Sequence, residues 1–499
     1  MSDFVRVTKK DETFMVLDAD SSILYEVKEF FTFDVPGARW SPAFKRKQWD
    51  GKISLLSIPS CKMYVGLLNK LKEFCKSREY ELVIDDSLKN NSAFSPQEIF
   101  NFVKSLNIHS EGKKLDVRDY QLAAIYKAIH NKRITLISPT SSGKSLIIYS
   151  IIRWILDDEK AKVLLIVPNI GLVRQMVGDF CDYSSDNGFD VISNVQTISE
   201  GATKDVSNKV VVSTWQSIYE EKSYWFNQFN AIIVDEVHLA AAKSIKGIME
   251  KSSQVPFRIG LTGTLNESKT HELVIQGLFG KIVKVATTTD LIDKGHISDI
   301  QINCLVLEYK DKKENKLVLG GDYHAELAYI CSHAKRNDLV RDLSLKSKGN
   351  TLVLFNFVAH GETIYKLIKE ALPENSSRKV FLIHGDVDGD ERNDMRRIVE
   401  TEKDAIIVAS YGTSSTGVSI KQLHNIIAAS PTKSIIRVLQ SIGRGLRKAE
   451  GKSKFNWIDI ADDFSNGNKK KNYVYDHFVK RLEIYTDQAF NYKITKVPF

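Results

Sequence analysis

Short apolar runs rich in β-branched residues, each followed by a stretch of helical periodicity, recur along most of this chain. Ile134–Ile137, Val163–Val167, Val210–Ser213, Ile232–Val234 and Ile259–Leu261 form one set of such runs. Leu352–Phe355, Val380–Ile383, Ala405–Val408 and Ile426–Ala429 form a second. Runs that are apolar throughout, without alternation, predict strands buried on both faces, and helices between them predict βαβ units on parallel sheets. The fold class expected is therefore α/β, with two tandem parallel-sheet lobes. The first hundred residues read differently. Phe14–Leu17, Ile53–Ser57 and Glu81–Ile84 predict short strands and Val65–Lys76 a helix, which is a small α+β module.

These patterns divide the chain into an N-terminal α+β domain over 1–95, a first lobe over 96–285, a second over 286–455 and a short C-terminal helical segment over 456–499. The polar stretch Asp85–Ser95 marks the first boundary, followed by a helical segment over Pro96–Leu106. Thr287–Tyr323 reads as a connection between lobes, and the charge run Lys310–Lys316 within it as a solvated loop. A helical pattern runs from Val474 to Ala489.

The length of 499 residues accommodates about three or four domains. With 43% hydrophobic and 26% charged residues, the composition is that of an ordinary globular protein. The net charge of +8 permits a phosphate-backbone partner without requiring one. Five scattered cysteines with no CxxC pair point to reduced thiols in a cytosolic protein and away from a structural zinc site. The N-terminus lacks the apolar core of a signal peptide, and no run of about 18 apolar residues appears, so no membrane span and a cytoplasmic location are expected.

The chemistry begins where Ile134–Ile137 ends. The segment Ser138, Pro139, Thr140, Ser141, Ser142, Gly143, Lys144 and Ser145 joins a strand to an apolar helix, the context of a phosphate-binding loop. Small residues let backbone N–H groups approach phosphates, and the helix N-terminus favours negative charge. Lys144 is placed for the β- and γ-phosphates of ATP and Ser145 for Mg²⁺. Ser138 stands where the strict pattern has glycine. Downstream, Ile232–Val234 leads into Asp235 and Glu236. Adjacent carboxylates at a strand end suit a second Mg²⁺ ligand, Asp235, and a base that activates water, Glu236. His238 is placed to couple this site to neighbouring loops. In the second lobe Gln440, Arg444 and Arg447 recur at helical spacing, and an arginine offered to the transferring phosphoryl group stabilises its charge. Gln121, just before the first helix of the lobe, has an amide suited to the adenine edge.

Two basic stretches invite a nucleic-acid reading. Phe44–Lys52 sets Lys45, Arg46 and Lys47 beside Trp49, and Lys469–Lys471 forms a second cluster. In both, a solvated face is the competing reading.

In their order and context these motifs resemble those of superfamily 2 helicases of the DExH type. Val167–Gln175, Ser213–Ser217, Gly260–Thr264, Ile383–Asp386 and Ala409–Ser419 resemble the remaining motifs of that superfamily. The resemblance implies RecA-like lobes, coupling between ATP and DNA sites through His238, Thr262 and Thr264, and backbone contacts from Pro168, Asn169, Thr214, Gln216, Ser410 and Thr416. Asn169 and Ser419 depart from the commoner residues at their positions. Trp49-Asp-Gly-Lys-Ile53, the Pro-Thr-Ser-Ser-Gly-Lys-Ser loop and the late Phe490-Asn-Tyr narrow the likeness to the UvsW-type recombination helicases of T4-like phages. That resemblance implies an ATP- and Mg²⁺-dependent motor on branched or forked DNA and R-loops. It implies Holliday-junction migration, fork regression and strand annealing in recombination, repair and replication. A monomer in the host cytoplasm is expected, with room for a single-strand-binding or accessory partner. From the residues alone, an RNA helicase, a double-strand translocase and a non-catalytic annealing module stay open.

Overall fold

The computed structural model describes residues 4–89, 94–199, 201, 203–239, 243–265, 269–385, 398, 401–415, 422–449, 452–465 and 471–499. The chain forms two compact units. One comprises Met1–Ser138 and Gly143–Ala286, the other Pro139–Ser142 and Thr287–Phe499.

The first unit holds a seven-stranded parallel sheet in the order Val195–Ile198, Val210–Thr214, Val163–Val167, Ala231–Asp235, Phe257–Thr262, Arg133–Ile137 and Lys281–Lys284. Every residue of the three strands Val210–Thr214, Val163–Val167 and Ala231–Asp235 is buried, which is why they read as unbroken apolar runs. The second unit holds another seven-stranded parallel sheet, in the order Val380–Ile383, Ile406–Ser410, Asn350–Phe355, Leu423–Ala428, Lys454–Asp463, Asp299–Glu308 and Tyr492–Pro498. Among the described residues no helix is long and apolar enough to cross a membrane.

Two expectations need correcting. The supposed connection over Thr287–Tyr323 contains the ten-residue strand Asp299–Glu308. It lies one position from the sheet edge, so Gln301 and Asn303 can alternate with buried Ile300, Ile302 and Cys304, and the continuous apolar signal is lost. The charge run Lys310–Lys316 is not a loop from Lys312 onward. It opens the helix Lys312–Gly320, whose first turn Asp311 caps by accepting from the N–H groups of Lys313 and Glu314. The expected C-terminal helix spans Tyr473–Asp487, and a strand, Tyr492–Pro498, follows it into the second sheet.

The N-terminal module is a five-stranded sheet backed by the helices Ser21–Phe30 and Leu68–Ser77, and it shares one apolar core with the first parallel sheet. A buried polar junction fixes the docking. Arg258 is fully buried and donates to the carbonyls of Val255 (3.1 Å), Met249 (3.0 Å) and Ser252, and to the Thr13 hydroxyl (2.7 Å). Arg133 donates to the Glu12 carbonyl and to its carboxylate (3.1 Å). Tyr64 donates to Glu250 at 2.6 Å.

Candidate ATPase and nucleic-acid site

The phosphate loop leaves the strand Arg133–Ile137 and enters the helix Lys144–Ile155. Ser141 and Gly143 both take positive φ, 70° and 84°, which turns the loop back on itself. Ser142 closes the turn, donating from its N–H (3.1 Å) and its hydroxyl (2.6 Å) to the Pro139 carbonyl. A Cβ at Gly143 would meet the side-chain amide of Gln121, which would have to move, and the positive φ by itself favours glycine. Gln121 is 3% exposed and its Oε1 accepts from the Arg118 N–H at 2.9 Å, so the amide expected to face adenine is also a buttress of the loop.

The acidic strand end converges on the same place. Lys144 Nζ lies 3.7 Å from Glu236 Oε1, with both side chains largely buried. Glu236 holds φ at +54°, a conformation rare outside glycine, and its N–H donates to Asp235 Oδ1 at 2.9 Å. This places consecutive carboxylates side by side. Burial, then the neighbouring Glu236 charge, pushes the Asp235 carboxyl up, outweighing the counter-pull of Lys144. Burial acts the same way on Glu236, but Lys144, His238 and the Thr262 hydroxyl outweigh it and hold that carboxyl below the usual range. Glu236 is thus held as a charged carboxylate, while burial works against the Asp235 anion, which a cation would favour.

Around Glu236 sit the residues expected to couple the site to its surroundings. His238 Nδ1 is 2.9 Å from Thr262 Oγ1 and 3.2 Å from Glu236 Oε2. The Thr262 hydroxyl lies 3.2 Å from Glu236 Oε2 and 2.8 Å from the Thr264 carbonyl. One hydroxyl proton therefore has two acceptors. The Thr262 carbonyl accepts from the Ser138 N–H at 2.8 Å, tying this strand end to the start of the phosphate loop. Ser145 Oγ lies 2.8 Å from the hydroxyl of Tyr183, a neighbour that belongs to no sequence motif.

The nucleic-acid candidates fall at strand ends. Pro168 and Asn169 follow Val163–Val167, and Asn169 Oδ1 caps the next helix by accepting from the Leu172 N–H at 3.0 Å. Thr214 ends its strand with Oγ1 2.9 Å from Ser217 Oγ, and Gln216 is exposed just beyond. In the second unit Ser410 ends the strand Ile406–Ser410, and its Oγ accepts from the Thr413 N–H at 3.0 Å. Thr416, like Ser419, Asp386, Lys469 and Lys470, lies outside the described residues.

Gln440, Arg444 and Arg447 belong to the helix Ile435–Gly445 and the turn after it, all half-buried. The end of that helix is clasped from two sides. Lys452 Nζ donates to the carbonyls of Gly445 and Arg447 (2.9 Å), Ser298 N–H to that of Leu446 (2.8 Å), and Ser298 Oγ to that of Arg447 (3.2 Å).

In the N-terminal module Lys45, Arg46 and Lys47 are exposed around the short helix Pro42–Lys45. Trp49 donates from its indole to the Lys52 carbonyl at 2.7 Å, so it also fastens the turn. At Gly51, with φ +78°, an added Cβ would press on Ala38 and Phe44. Arg39, Phe44, Lys45, Lys47, Trp49 and Asp50 line a cleft of about 540 Å³. Trp40, which sequence reasoning passed over, is 68% exposed beside it, with Arg39 5.1 Å and Lys45 5.9 Å from its ring.

Two parallel-sheet units, a phosphate loop and adjacent carboxylates at a strand end define a superfamily 2 helicase, and comparison with known proteins sharpens the class. Residues 4–85 match the family model "DNA helicase UvsW, N-terminal", residues 114–267 "Type III restriction enzyme, res subunit" and residues 334–449 "Helicase conserved C-terminal domain". The ATP-dependent DNA helicase uvsW of Enterobacteria phage T4 is 35% identical over 99% of both chains. The crystal structure of T4 UvsW matches 99% of both chains at 33% identity with a TM-score of 0.53. The DUF1998 helicase MrfA bound to DNA, 16% identical over 76% of this chain and 50% of its own, shares the fold at a TM-score of 0.54. The chain belongs to the UvsW family of ATP-dependent DNA helicases.

Proposed function

We propose that the chain unwinds and migrates branched DNA, drawing on ATP hydrolysed at Lys144, Asp235 and Glu236. The observation that carries the chemistry is the charged, cation-paired Glu236 beside a buried Asp235 whose anion is held at a cost. Glu236 accepts the proton of the attacking water, and Lys144 holds the β- and γ-phosphates. Ser145 and Asp235 fit Mg²⁺: two hard oxygen ligands are what an ion also held by phosphates and water needs from protein. When bound, that ion neutralises charge on the phosphates. Arg444 and Arg447 contribute positive charge from the second unit, and the clasp of Lys452 and Ser298 holds the end of their helix.

Pro168, Asn169, Thr214, Gln216, Ser410 and Thr416 grip the DNA backbone, so binding is independent of sequence and weakens with salt. The basic cleft at Lys45, Arg46, Lys47 and Trp49, within a module matching the UvsW N-terminal family, supports a duplex or junction contact there. The same reading makes the protein a monomer of the host cytoplasm acting in recombination, repair and replication, with strand annealing as a companion activity.

The test is ATP hydrolysis and strand displacement across forked DNA, four-way junctions, R-loops, linear duplex and duplex RNA. Branched DNA is expected to stimulate most and to be unwound. Unwinding of duplex RNA without branched DNA would overturn the choice of substrate. Absence of DNA-stimulated hydrolysis would leave an annealing module.

A further inference from the structure

The carboxyl edge of the second sheet carries a group of aromatic rings and cations that none of the helicase motifs includes. Three neighbouring parallel strands, Leu423–Ala428, Lys454–Asp463 and Asp299–Glu308, all deliver the chain to that edge. Lys433 follows the first, the helix Tyr473–Asp487 follows the second, and the helices Lys312–Gly320 and Tyr323–Ser332 follow the third. Ser410 ends its own strand at this same edge. In open parallel sheets this is the edge at which ligands bind.

The three arrivals converge on one another. The Tyr323 ring lies 6.2 Å from that of Tyr473 and 5.3 Å from the His477 imidazole, both edge-to-face. Lys433 Nζ stands 5.8 Å from the centre of the Tyr323 ring, and Lys471 Nζ 5.1 Å from that of Tyr475. Burial, then the positive charges of Lys480, Arg481 and Lys433, pushes the His477 imidazole toward its neutral form against the pull of Asp476. Lys480 stands one helical turn beyond His477, whose ring meets Tyr323, so it belongs to the same group as Lys433.

Among the described residues, the fold engages Lys433 and Lys471 through the rings of Tyr323 and Tyr475 rather than through ion pairs. Among the described residues none of Lys433, Lys471 and Lys480 takes part in an ion pair, and all three are exposed. The helix starts beside them have their own partners. Asp322 caps one by accepting from the Ala325 N–H at 2.8 Å. The buried Glu326 carboxylate accepts from the N–H groups of Tyr473 (3.0 Å) and Val474 (2.7 Å) at the other. Exposed cations that take no ion pair attract polyanions, even with Asp476 beside them. Tyr473 is 50% exposed, which leaves much of a large flat ring open to solvent.

We propose that Tyr473, Lys433, Lys471 and Lys480 form a second DNA contact that takes an unpaired strand. A base stacks on the Tyr473 ring, and the lysines neutralise the phosphates on either side. Stacking on one exposed aromatic flanked by cations is how single strands are held without regard to sequence, and a paired base has no free face to offer it. The inference deepens the DNA-motor reading and rests on it in one respect: this sheet edge must face DNA.

The experiment measures binding of fluorescein-labelled oligo(dT) and of a blunt DNA duplex by anisotropy, using the full chain. Tyr473→Ala is expected to weaken oligo(dT) binding roughly 5- to 100-fold. Duplex affinity and hydrolysis without DNA stay within about twofold, and Tyr473→Trp restores the single-strand affinity. Combining Lys433→Ala, Lys471→Ala and Lys480→Ala should reduce the slope of log affinity against log salt by about 2 for the single strand, since each phosphate contact contributes about 0.7. Unchanged oligo(dT) affinity and slope in both variants would overturn the proposal, as would an equal loss on duplex. A wild-type chain that binds no DNA at all would instead remove the motor reading, and this contact with it.

Discussion

Lys144 Nζ and Glu236 Oε1 are 3.7 Å apart, inside a site where both side chains are about 15% exposed. The pairing keeps Glu236 charged in surroundings that would otherwise protonate it. In the proposed mechanism a γ-phosphate competes for the same ammonium. Lys144→Ala removes the proposed phosphate contact and the charge partner together. ATP turnover should fall by at least ~100-fold, on the order expected for losing a main electrostatic contact to the transferring group, while DNA affinity changes by less than about threefold. Steady-state hydrolysis and oligonucleotide binding on the same preparation check this.

Thr262 is the hinge of the proposed coupling, because its single hydroxyl proton can go to Glu236 or to the Thr264 carbonyl. Thr262→Val removes that choice and keeps the shape. Hydrolysis without DNA should drop by less than about tenfold, an amount equal to ~1.4 kcal/mol. Stimulation by DNA should largely disappear. The ratio of the two rates reads the effect, and a preserved ratio would strip Thr262 of its coupling role.

Arg258 is the junction between the N-terminal module and the first parallel sheet. Arg258→Met withdraws donors from three carbonyls and from Thr13 and leaves them buried. The cost should be roughly 3 kcal/mol or more. Lower thermal stability is expected, with faster amide exchange in the strands Phe4–Lys9 and Phe14–Asp18 than in the centre of the first sheet.

Part of the acid sensitivity should trace to His360. Burial, with Arg336 nearby, pushes its imidazole down to about 3, and its ring nitrogens contact Ser430 Oγ (2.8 Å) and Asn337 Oδ1 (3.0 Å). Because the folded value is depressed, the unfolded chain binds the proton first as pH falls below the ordinary histidine value of about 6.5. This contribution is therefore complete above that pH and lost progressively toward pH 3, by an amount on the order of 5 kcal/mol at the limit. His360→Asn should flatten stability against pH between 4 and 6.5, as measured by urea unfolding.

Much of this was legible in the chain. Central parallel strands are buried on both faces, so Val163–Val167 and Ala231–Asp235 announce themselves as apolar runs. The phosphate loop and Asp235-Glu236 are each local in sequence, and the strands that precede them, Arg133–Ile137 and Ala231–Asp235, lie in one parallel sheet, which brings Lys144 to Glu236. What stayed hidden depends on distant partners or on partial exposure. Thr13 meets Arg258 across 245 positions, and no local pattern encodes that pairing. Tyr492–Pro498 is an edge strand whose residues are nearly all exposed, so it lacks the apolar face that marks a strand. Trp40 lies just upstream of the basic segment Phe44–Lys52, and only the fold turns it toward Lys45.

The proposed mechanism depends above all on Glu236 being the base of a DNA-stimulated ATPase. Its most direct test is the steady-state rate of Glu236→Gln with saturating forked DNA and Mg²⁺-ATP, with nucleotide binding measured in parallel. Loss of the base should cut turnover by about 10²- to 10⁴-fold while ATP still binds. A rate within about threefold of wild type would contradict the assignment.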